Sequence, residues 1–328
     1  MLTDSFGRTI NYLRISVTDR CNLRCVYCLP GEGIHWQARE DQLTAEEIVR
    51  VTTSMAQVGL TRVRLTGGEP LVRADIVEIV ARLASIPGIQ EVSLTTNAML
   101  LEKLAQPLAD AGLTRVNISL DTLDPDKFSR ITRGGVIDRV WRGIAAAESA
   151  HLGPIKLNTV VVNGLNSDEI SVLARLSIEN PWHIRFIELM PVGNQQDWGA
   201  GFPMTSERYI PVQEMQSRLS FYHLEPVESP VGNGPARTFR IPGALGTVGF
   251  ISPLGEHFCQ NCNRLRLTAD GFLRPCLLLD GEINVRDALR TNQPVLALIQ
   301  QAVNAKPKGH ELFMEHYPES RRMAQIGG

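Results

Sequence analysis

The first 190 residues of this 328-residue chain alternate between strand-like and helical segments. Strands are predicted over residues 11–17, 61–66, 89–96, 114–120, 155–162 and 183–190. Helices are predicted over residues 48–58, 75–86, 100–111 and 167–178, with a further helical region that ends near residue 151. Strands that alternate with helices in this way indicate repeated βαβ units and a parallel sheet.

Six such units are too few to close an ordinary eight-stranded barrel. We therefore predict an α/β fold with an open, partial TIM-like (βα)6 barrel over residues 1–190. A doubly wound sheet is the alternative, but no dinucleotide fingerprint follows the first strand. Residues 191–206, rich in Pro, Gly and polar side chains, are predicted to be a linker. Residues 207–328 are predicted to form a smaller domain that covers the open side of the barrel, with a helix over 209–219 and short strands within 226–254.

All six cysteines fall into two groups of three. They are Cys21, Cys25 and Cys28 in one group, and Cys259, Cys262 and Cys276 in the other. Three thiolates are one fewer than an iron–sulfur cluster usually has, so a four-iron cluster would keep one iron open to another ligand. The alternatives are zinc, with His257 as a fourth ligand of the second group, and disulfides in an oxidising compartment.

The overall charge excludes some classes of partner. With 33 basic and 35 acidic side chains the net charge is −2, so nothing global points to nucleic acid. No apolar run reaches membrane-spanning length, and the first residues lack the features of a targeting segment. We therefore expect a cytoplasmic protein without a membrane partner, in which any anion site is a local cluster of basic residues.

Four basic residues interrupt otherwise apolar predicted strands. They are Arg14, Arg64, Lys156 and Arg185. One face of a barrel strand lies in the lumen and the other lies under helices, and both are poor places for an unpaired cation. Convergence of all four on a polyanion such as a triphosphate explains them. The alternative is that each pairs with a nearby carboxylate such as Glu188 or Asp121.

Two further arginines lie between the cysteines of the second group. Arg264 and Arg266 alternate on a predicted strand, so both face the same side. Two guanidinium groups beside an open cluster suit bidentate binding of phosphate.

The first cysteine group resembles the signature of the radical S-adenosylmethionine (SAM) superfamily. Three residues separate Cys21 from Cys25, two separate Cys25 from Cys28, and the aromatic Tyr27 precedes the last cysteine. The resemblance implies that the open iron binds the amino and carboxylate groups of SAM. It also implies that an electron from the cluster cleaves SAM to methionine and a 5′-deoxyadenosyl radical. A partial barrel is the fold of that superfamily.

The wider pattern resembles the GTP 3′,8-cyclase family, which acts first in molybdenum cofactor biosynthesis. It comprises both cysteine groups, the NRLRL stretch at 263–267 and the terminal Gly327–Gly328. The resemblance implies two [4Fe–4S] clusters, with SAM on the first and GTP on the second. A hydrogen is taken from C3′ of the GTP ribose, and the sugar radical attacks C8 to give (8S)-3′,8-cyclo-7,8-dihydroguanosine 5′-triphosphate. Implied partners are an electron donor such as flavodoxin or ferredoxin, cyclic pyranopterin monophosphate synthase as the recipient of the product, and a possible second copy in a homodimer.

The same resemblance implies individual site residues. For SAM they are Tyr27, Gly67, Gly68, Glu69, Ser119 and Met190. For GTP they are Arg14, Arg64, Thr95, Lys156, Arg185, Arg264 and Arg266. Arg264, Arg266, Gly327 and Gly328 are the implied catalytic residues. Arg62 stands where the family often has Lys, which leaves its phosphate contact open.

Two alternatives and one conflict remain at this point. The chain could instead be a radical SAM peptide-modifying enzyme with an auxiliary cluster, or a zinc-stabilised scaffold without enzymatic activity. The polar composition of residues 317–326 predicts a frayed, dispensable terminus. The resemblance implies instead that the terminal glycines enter the catalytic pocket.

Overall fold

Six parallel strands follow one another in sequence order across the centre of a single sheet. The computed structural model describes residues 1–192, 198–229, 234–255, 258–310, 318 and 320–327. The central strands are β1 (Tyr12–Ser16), β2 (Arg62–Thr66), β3 (Glu91–Thr96), β4 (Arg115–Ser119), β5 (Lys156–Val161) and β6 (His183–Glu188). Each pairs in parallel with the next, which confirms all six strands predicted from the sequence.

Helices connect these strands, as the βαβ pattern predicts. They are α1 (Ala45–Ala56), α2 (Ile76–Ala84), α3 (Leu101–Asp110), α4 (Pro125–Thr132), α5 (Ile137–Ser149) and α6 (Ile170–Glu179). A capping box begins α1, where Glu47 N donates to Thr44 Oγ1 at 3.2 Å and Thr44 N donates to Glu47 Oε2 at 2.8 Å. Apolar residues at helical spacing, such as Ile48 and Met55, bury one face of α1 in the core.

The C-terminal part of the chain extends the sheet at both edges. It contributes β7 (Glu225–Pro226), β8 (Arg237–Arg240), β9 (Thr247–Ile251), β10 (Arg264–Leu267), β11 (Phe272–Arg274) and β12 (Ile283–Asn284). Strand β9 runs parallel beside β6, and β10 runs parallel beside β1. The strand order in the described residues is β12-β11-β10-β1-β2-β3-β4-β5-β6-β9-β8-β7. The fold is the α/β open barrel predicted, and its C-terminal strands continue the sheet rather than only covering it.

Four further α-helices lie in the C-terminal part of the described chain. They are α7 (Val212–Ser217), α8 (Arg286–Arg290), α9 (Leu296–Asn304) and α10 (Met323–Ile326). Within the predicted linker, Trp198 is buried, stacks under the Arg208 guanidinium at 3.7 Å, and packs in one apolar cluster with Val26 of the first cysteine loop. This part of residues 191–206 is therefore docked on the barrel. Among the described helices, none has the length and apolar character that crossing a membrane requires.

Candidate functional site

The sheet topology places the two cysteine groups at opposite ends of the parallel strands. Cys21, Cys25 and Cys28 follow the C-terminal end of β1. Cys259 and Cys262 precede β10, which is parallel to β1, so they lie at the N-terminal edge. Strand β11 is antiparallel to β10, and Cys276 follows it, so this cysteine lies at the N-terminal edge too. The interior of the barrel therefore separates the two groups.

A row of arginines crosses the interior between these edges. Arg266, Arg14 and Arg64 are direct neighbours in register on three adjacent strands. Strands are roughly 4.8 Å apart, so the three side chains leave the sheet side by side. Burial, and then repulsion from Arg64 and Arg264, lowers the pKa of Arg14 to about 10. Burial, and then Arg14, lowers the pKa of Arg266 well below its usual range. Such a row would be stabilised by an anion placed over it.

More basic side chains lie farther along the same interior. Burial, and then Arg185 and Arg115, lowers the pKa of Lys156 to about 6. Burial, and then Arg64, lowers the pKa of Arg185 to about 9. Glu91 raises the pKa of Lys156 and Tyr12 raises that of Arg185, but the cations outweigh both, so the interior is an electropositive chamber.

The carboxylates considered as local partners make other contacts. Glu188 accepts hydrogen bonds from Val212 N at 3.0 Å and Leu254 N at 3.2 Å. Asp121 accepts from Tyr27 Oη at 2.6 Å and Val160 N at 2.9 Å. These contacts bind backbone and a phenol, so they do not explain the basic chamber as a set of simple ion pairs.

One cavity of about 350 Å³ reaches both cysteine groups and the arginine row. All six cysteines line it. So do the residues predicted for SAM and for GTP, namely Tyr27, Gly67, Gly68, Glu69, Ser119, Met190, Arg14, Arg64, Thr95, Lys156, Arg185, Arg264 and Arg266, together with Arg62. Fold topology alone brings these distant sequence positions to one space.

The thiols of each group are free and lie near one another, which is compatible with an iron–sulfur cluster at each group. All six cysteines are free, so neither group forms a disulfide. Within each group the thiols interact electrostatically, for example Cys25 with Cys21 and Cys28. Yet no set of three His, Cys, Asp or Glu side chains in the described residues could hold a single metal ion. His257, the candidate fourth zinc ligand, lies outside the described residues.

Burial and nearby carboxyls set the protonation of the first group. Burial, and to a lesser extent Glu69, raises the pKa of Cys21 to about 11. Burial and then Cys21 raise the pKa of Cys28 to about 12. Cys21 Sγ also accepts from Leu23 N at 3.3 Å and from Asn97 Nδ2 at 3.9 Å. These thiols would lose their protons on binding iron, because a metal strongly favours the thiolate.

The Gly-Gly-Glu-Pro turn after β2 is packed against the start of the first cysteine loop. A Cβ on Gly67 or Gly68 would overlap the carbonyl oxygens of Thr18 or Arg20. Gly68 N instead donates to Thr18 O, and Glu69 N donates to Arg20 O, both at 2.8 Å. Glycine is therefore required here for close approach of two backbones.

The Glu69 side chain anchors this turn through three hydrogen bonds. It accepts from Leu71 N at 3.0 Å, Thr96 Oγ1 at 2.7 Å and Asn97 N at 2.7 Å. Burial raises the pKa of Glu69 to about 7. This carboxyl therefore fixes the turn to the end of β3, and the residues around it would present backbone to a ligand at the first cysteine group.

The C-terminal tail is docked in the interior, contrary to the frayed end predicted from composition. Ile326 is buried in an apolar cluster with Val192 and Leu278. The backbone N–H of Ala324 donates a hydrogen bond to the Cys28 thiol. Arg266 Nη1 donates to Ile326 O at 3.3 Å and also to Gly327 O. The polar composition hid the few apolar residues that seat the tail.

Gly327 fits its position because it has no side chain. Its φ is +72°, and a Cβ would lie 2.5 Å from Thr66 Cγ2 and 3.5 Å from Ser16 Cβ, at the ends of β2 and β1. Gly328, predicted to be catalytic, lies outside the described residues.

Sequence reasoning missed several residues that line the cavity. Arg115 is 4% exposed and ion-paired with Glu91, and its Nε and Nη1 have no hydrogen-bond partner in the described structure. The side-chain oxygens of Asn117 and Asn158 are buried and equally without a partner there. Arg115 carries the signal that identified the other basic residues, since it too interrupts an apolar strand. Lys306 carries no comparable signal.

Comparison with known sequences gives a consistent family. The profile of the radical SAM superfamily matches residues 15–177, and that described as Molybdenum Cofactor Synthesis C matches residues 182–312. GTP 3′,8-cyclase of Moorella thermoacetica is 51% identical, and that of Pelotomaculum thermopropionicum is 48% identical. GTP 3′,8-cyclase of Listeria monocytogenes is also 48% identical. These matches cover 100% of this chain and at least 99% of each relative.

Solved structures support the fold. Streptococcus suis SuiB bound to precursor peptide SuiA aligns with a TM-score of 0.64 and 16% identity, over 96% of this chain and 75% of that chain. Native anSMEcpe with bound AdoMet aligns with a TM-score of 0.55 and 15% identity, over 93% and 82% of the two chains. At such identities the likeness concerns architecture alone.

Proposed function

Because this chain belongs to the GTP 3′,8-cyclase family of radical SAM enzymes, we propose that it cyclises GTP in the cavity between its two cysteine groups. Membership implies a [4Fe–4S] cluster and SAM, which we assign to Cys21, Cys25 and Cys28. We assign a second [4Fe–4S] cluster to Cys259, Cys262 and Cys276, facing the guanine end of the substrate. The product would enter molybdenum cofactor synthesis.

The arginine row is the observation that carries this proposal. Arg266, Arg14 and Arg64 stand side by side across the interior, with Lys156 and Arg185 farther along it. A triphosphate has the charge and the length to lie along such a row, and guanidinium groups bind phosphate oxygens in pairs. GTP with its triphosphate held there would lie in the space between the two cysteine groups.

The chain's own residues would orient the reactants and exclude water. When bound, the first cluster and SAM supply a 5′-deoxyadenosyl radical, which family chemistry directs at C3′ of the GTP ribose before C3′ joins C8. The Gly67–Gly68 backbone would receive the amino group of SAM. Tyr27, fixed by its hydrogen bond to Asp121, would hold the cluster loop. The docked tail would keep solvent from the reacting atoms.

The proposal extends to the partners in the reaction sequence. The first cluster must be reduced in each cycle, which a small electron-transfer protein such as flavodoxin or ferredoxin would do. The cyclised nucleotide would pass to cyclic pyranopterin monophosphate synthase, which rearranges it.

Substitution Arg266→Ala tests the assignment of GTP to the arginine row. Loss of charged hydrogen bonds to phosphate costs about 1.5–3 kcal/mol. GTP should therefore bind roughly 10- to 150-fold more weakly, as measured by anaerobic titration calorimetry on the reconstituted protein. Substrate-independent cleavage of SAM and iron content should be unchanged.

The exposed Arg240 on β8 provides the matched control. Arg240→Ala removes the same charge without touching the cavity and should leave GTP affinity at the wild-type value. Wild-type GTP affinity in Arg266→Ala, or wild-type protein that forms no cyclised product from GTP and SAM, would contradict the proposal.

A further inference from the structure

Lys306 is a buried cation placed against the second cysteine group. It follows α9 and is 3% exposed. Its Nζ donates to Cys262 Sγ at 3.6 Å, to Arg264 O at 2.7 Å and to Pro275 O at 3.0 Å. An ammonium has three donors, and all three are used.

The acceptors of Lys306 belong to two separate ligand-bearing segments. Cys262 is itself a cysteine of the group, and Arg264 begins the strand that follows it. Pro275 immediately precedes Cys276. One side chain therefore links two cysteines that have thirteen residues between them in the sequence.

A second cation completes the arrangement at the third cysteine. Arg8 Nη1 donates to Cys259 O at 2.7 Å, and Arg8 Nη2 donates to Pro307 O at 2.6 Å. Its Nε bonds the buried Asp4 at 2.5 Å, which fixes the guanidinium. Since Pro307 adjoins Lys306, the two cations form one connected support around the group.

The charges around Lys306 indicate that this support serves more than the fold. A buried ammonium is costly unless an anion accompanies it. The Lys306 ammonium contacts Cys262 Sγ directly and reaches the carbonyl that precedes Cys276. The thiolate is the form of cysteine that binds metal, so the cation matches the loaded state of the cysteines.

We propose that Lys306 is a positioning residue for the second iron–sulfur cluster, which it holds in place and whose reduction potential it raises. The inference rests on the proposed function, since it requires that the second group carries a cluster. Hydrogen bonds to cluster sulfurs and nearby positive charge favour the reduced form, which bears the extra negative charge.

The test uses full-length reconstituted protein with both clusters present. In Lys306→Met, which keeps the length but removes the charge, a chelator should remove iron from the second cluster about 10- to 100-fold faster than in wild type. A redox titration followed by electron paramagnetic resonance should show one cluster signal at lower potential and the other unmoved. Lys306→Arg keeps a cation and should restore most of the potential. Lys308→Met, an exposed neighbour, is the control and should match wild type.

Each result decides one question. Wild-type protein with about four irons defeats the two-cluster proposal before Lys306 is considered. Eight irons in wild type, with unchanged potential and iron retention in Lys306→Met, overturns the role of Lys306 alone. Equal loss of both clusters in Lys306→Met and Lys306→Arg would assign the residue to the fold as a whole and also overturn it.

Discussion

The two cysteine groups share a ligand type but differ in the charges around them. At the first group, burial and then Asp121 raise the pKa of Cys25, and Glu69 adds to the effect of burial on Cys21. At the second group burial acts the same way, yet Lys306 and Arg264 lower the pKa of Cys262 overall. Acidic surroundings suit a cationic ligand and basic surroundings suit an anionic one. The neighbours of each group, more than its cysteines, decide what it can bind.

Removing each set of cysteines should separate their functions most sharply. Changing Cys21, Cys25 and Cys28 together to Ala should halve iron from about eight per chain and abolish SAM cleavage, because each four-iron cluster depends on one group. Changing the second set together should also halve iron but leave SAM cleavage in the absence of GTP. Iron analysis and 5′-deoxyadenosine release measure both. Equal loss of SAM cleavage in the two variants would show that the two cysteine groups do not have separate functions.

Gly327 lies between the two groups, because α10 contacts Cys28 while Gly327 O contacts Arg266. In Gly327→Ala the new side chain would have to adopt a left-handed backbone conformation and would collide with the Thr66 methyl group. The C-terminal tail should therefore be displaced from its position in the cavity. Misplacement near reacting atoms costs on the order of 100-fold, which product formation at saturating GTP and SAM should reveal.

Gly243 is the matched control for this change. Its φ is +81°, and no atom lies within 4 Å of an added Cβ. Gly243→Ala should therefore cost about 1 kcal/mol of stability and leave turnover unchanged. Full turnover in Gly327→Ala would show that the position of the tail does not matter for the reaction.

The first group should also give the protein a pH-dependent stability. Burial raises the pKa of Glu69 from 4.5 to about 7, so the folded state holds its proton more tightly than the unfolded state. The contribution of the protonated Glu69 carboxyl to the free energy of unfolding is fully present below pH 4.5 and is lost as the pH rises to about 7. It amounts to about 3 kcal/mol at most. Urea unfolding of cluster-free Glu69→Gln should lack this fall, apart from a constant offset for one lost hydrogen bond.

Asp121 sharpens that experiment. Burial raises the pKa of Asp121 only to about 6. Asp121→Asn should therefore remove a fall in the free energy of unfolding that ends near pH 6. Parallel curves for wild type and Glu69→Gln between pH 4.5 and 7 would show that Glu69 titrates alike in the folded and unfolded states.

Local patterns predicted much of this molecule, and long-range pairing accounts for what they missed. The central strands follow from apolar periodicity, and the arginine row follows from cations within strands. The pairing of β10 with β1 has no local signal, because Tyr12 and Arg264 are far apart in sequence. The same holds for Lys306, whose three contacts exist only once α9 packs beside the second group. At the tail, Ile326 and Ala324 are buried and Met323 packs beside them, so a few apolar residues outweigh the polar composition of the segment.

Completion of β1 by β10 has a consequence for biogenesis. Tyr12 emerges early in synthesis, but its outer neighbour Arg264 emerges late, and the outer neighbour of β6 also comes from the last third of the chain. Contacts of such sequence separation form slowly. A nascent barrel therefore carries two bare strand edges, the feature that most readily recruits foreign chains. The first three thiols belong to one short loop that is synthesised while those edges are open, whereas the second three come together only when β10 and β11 complete the sheet.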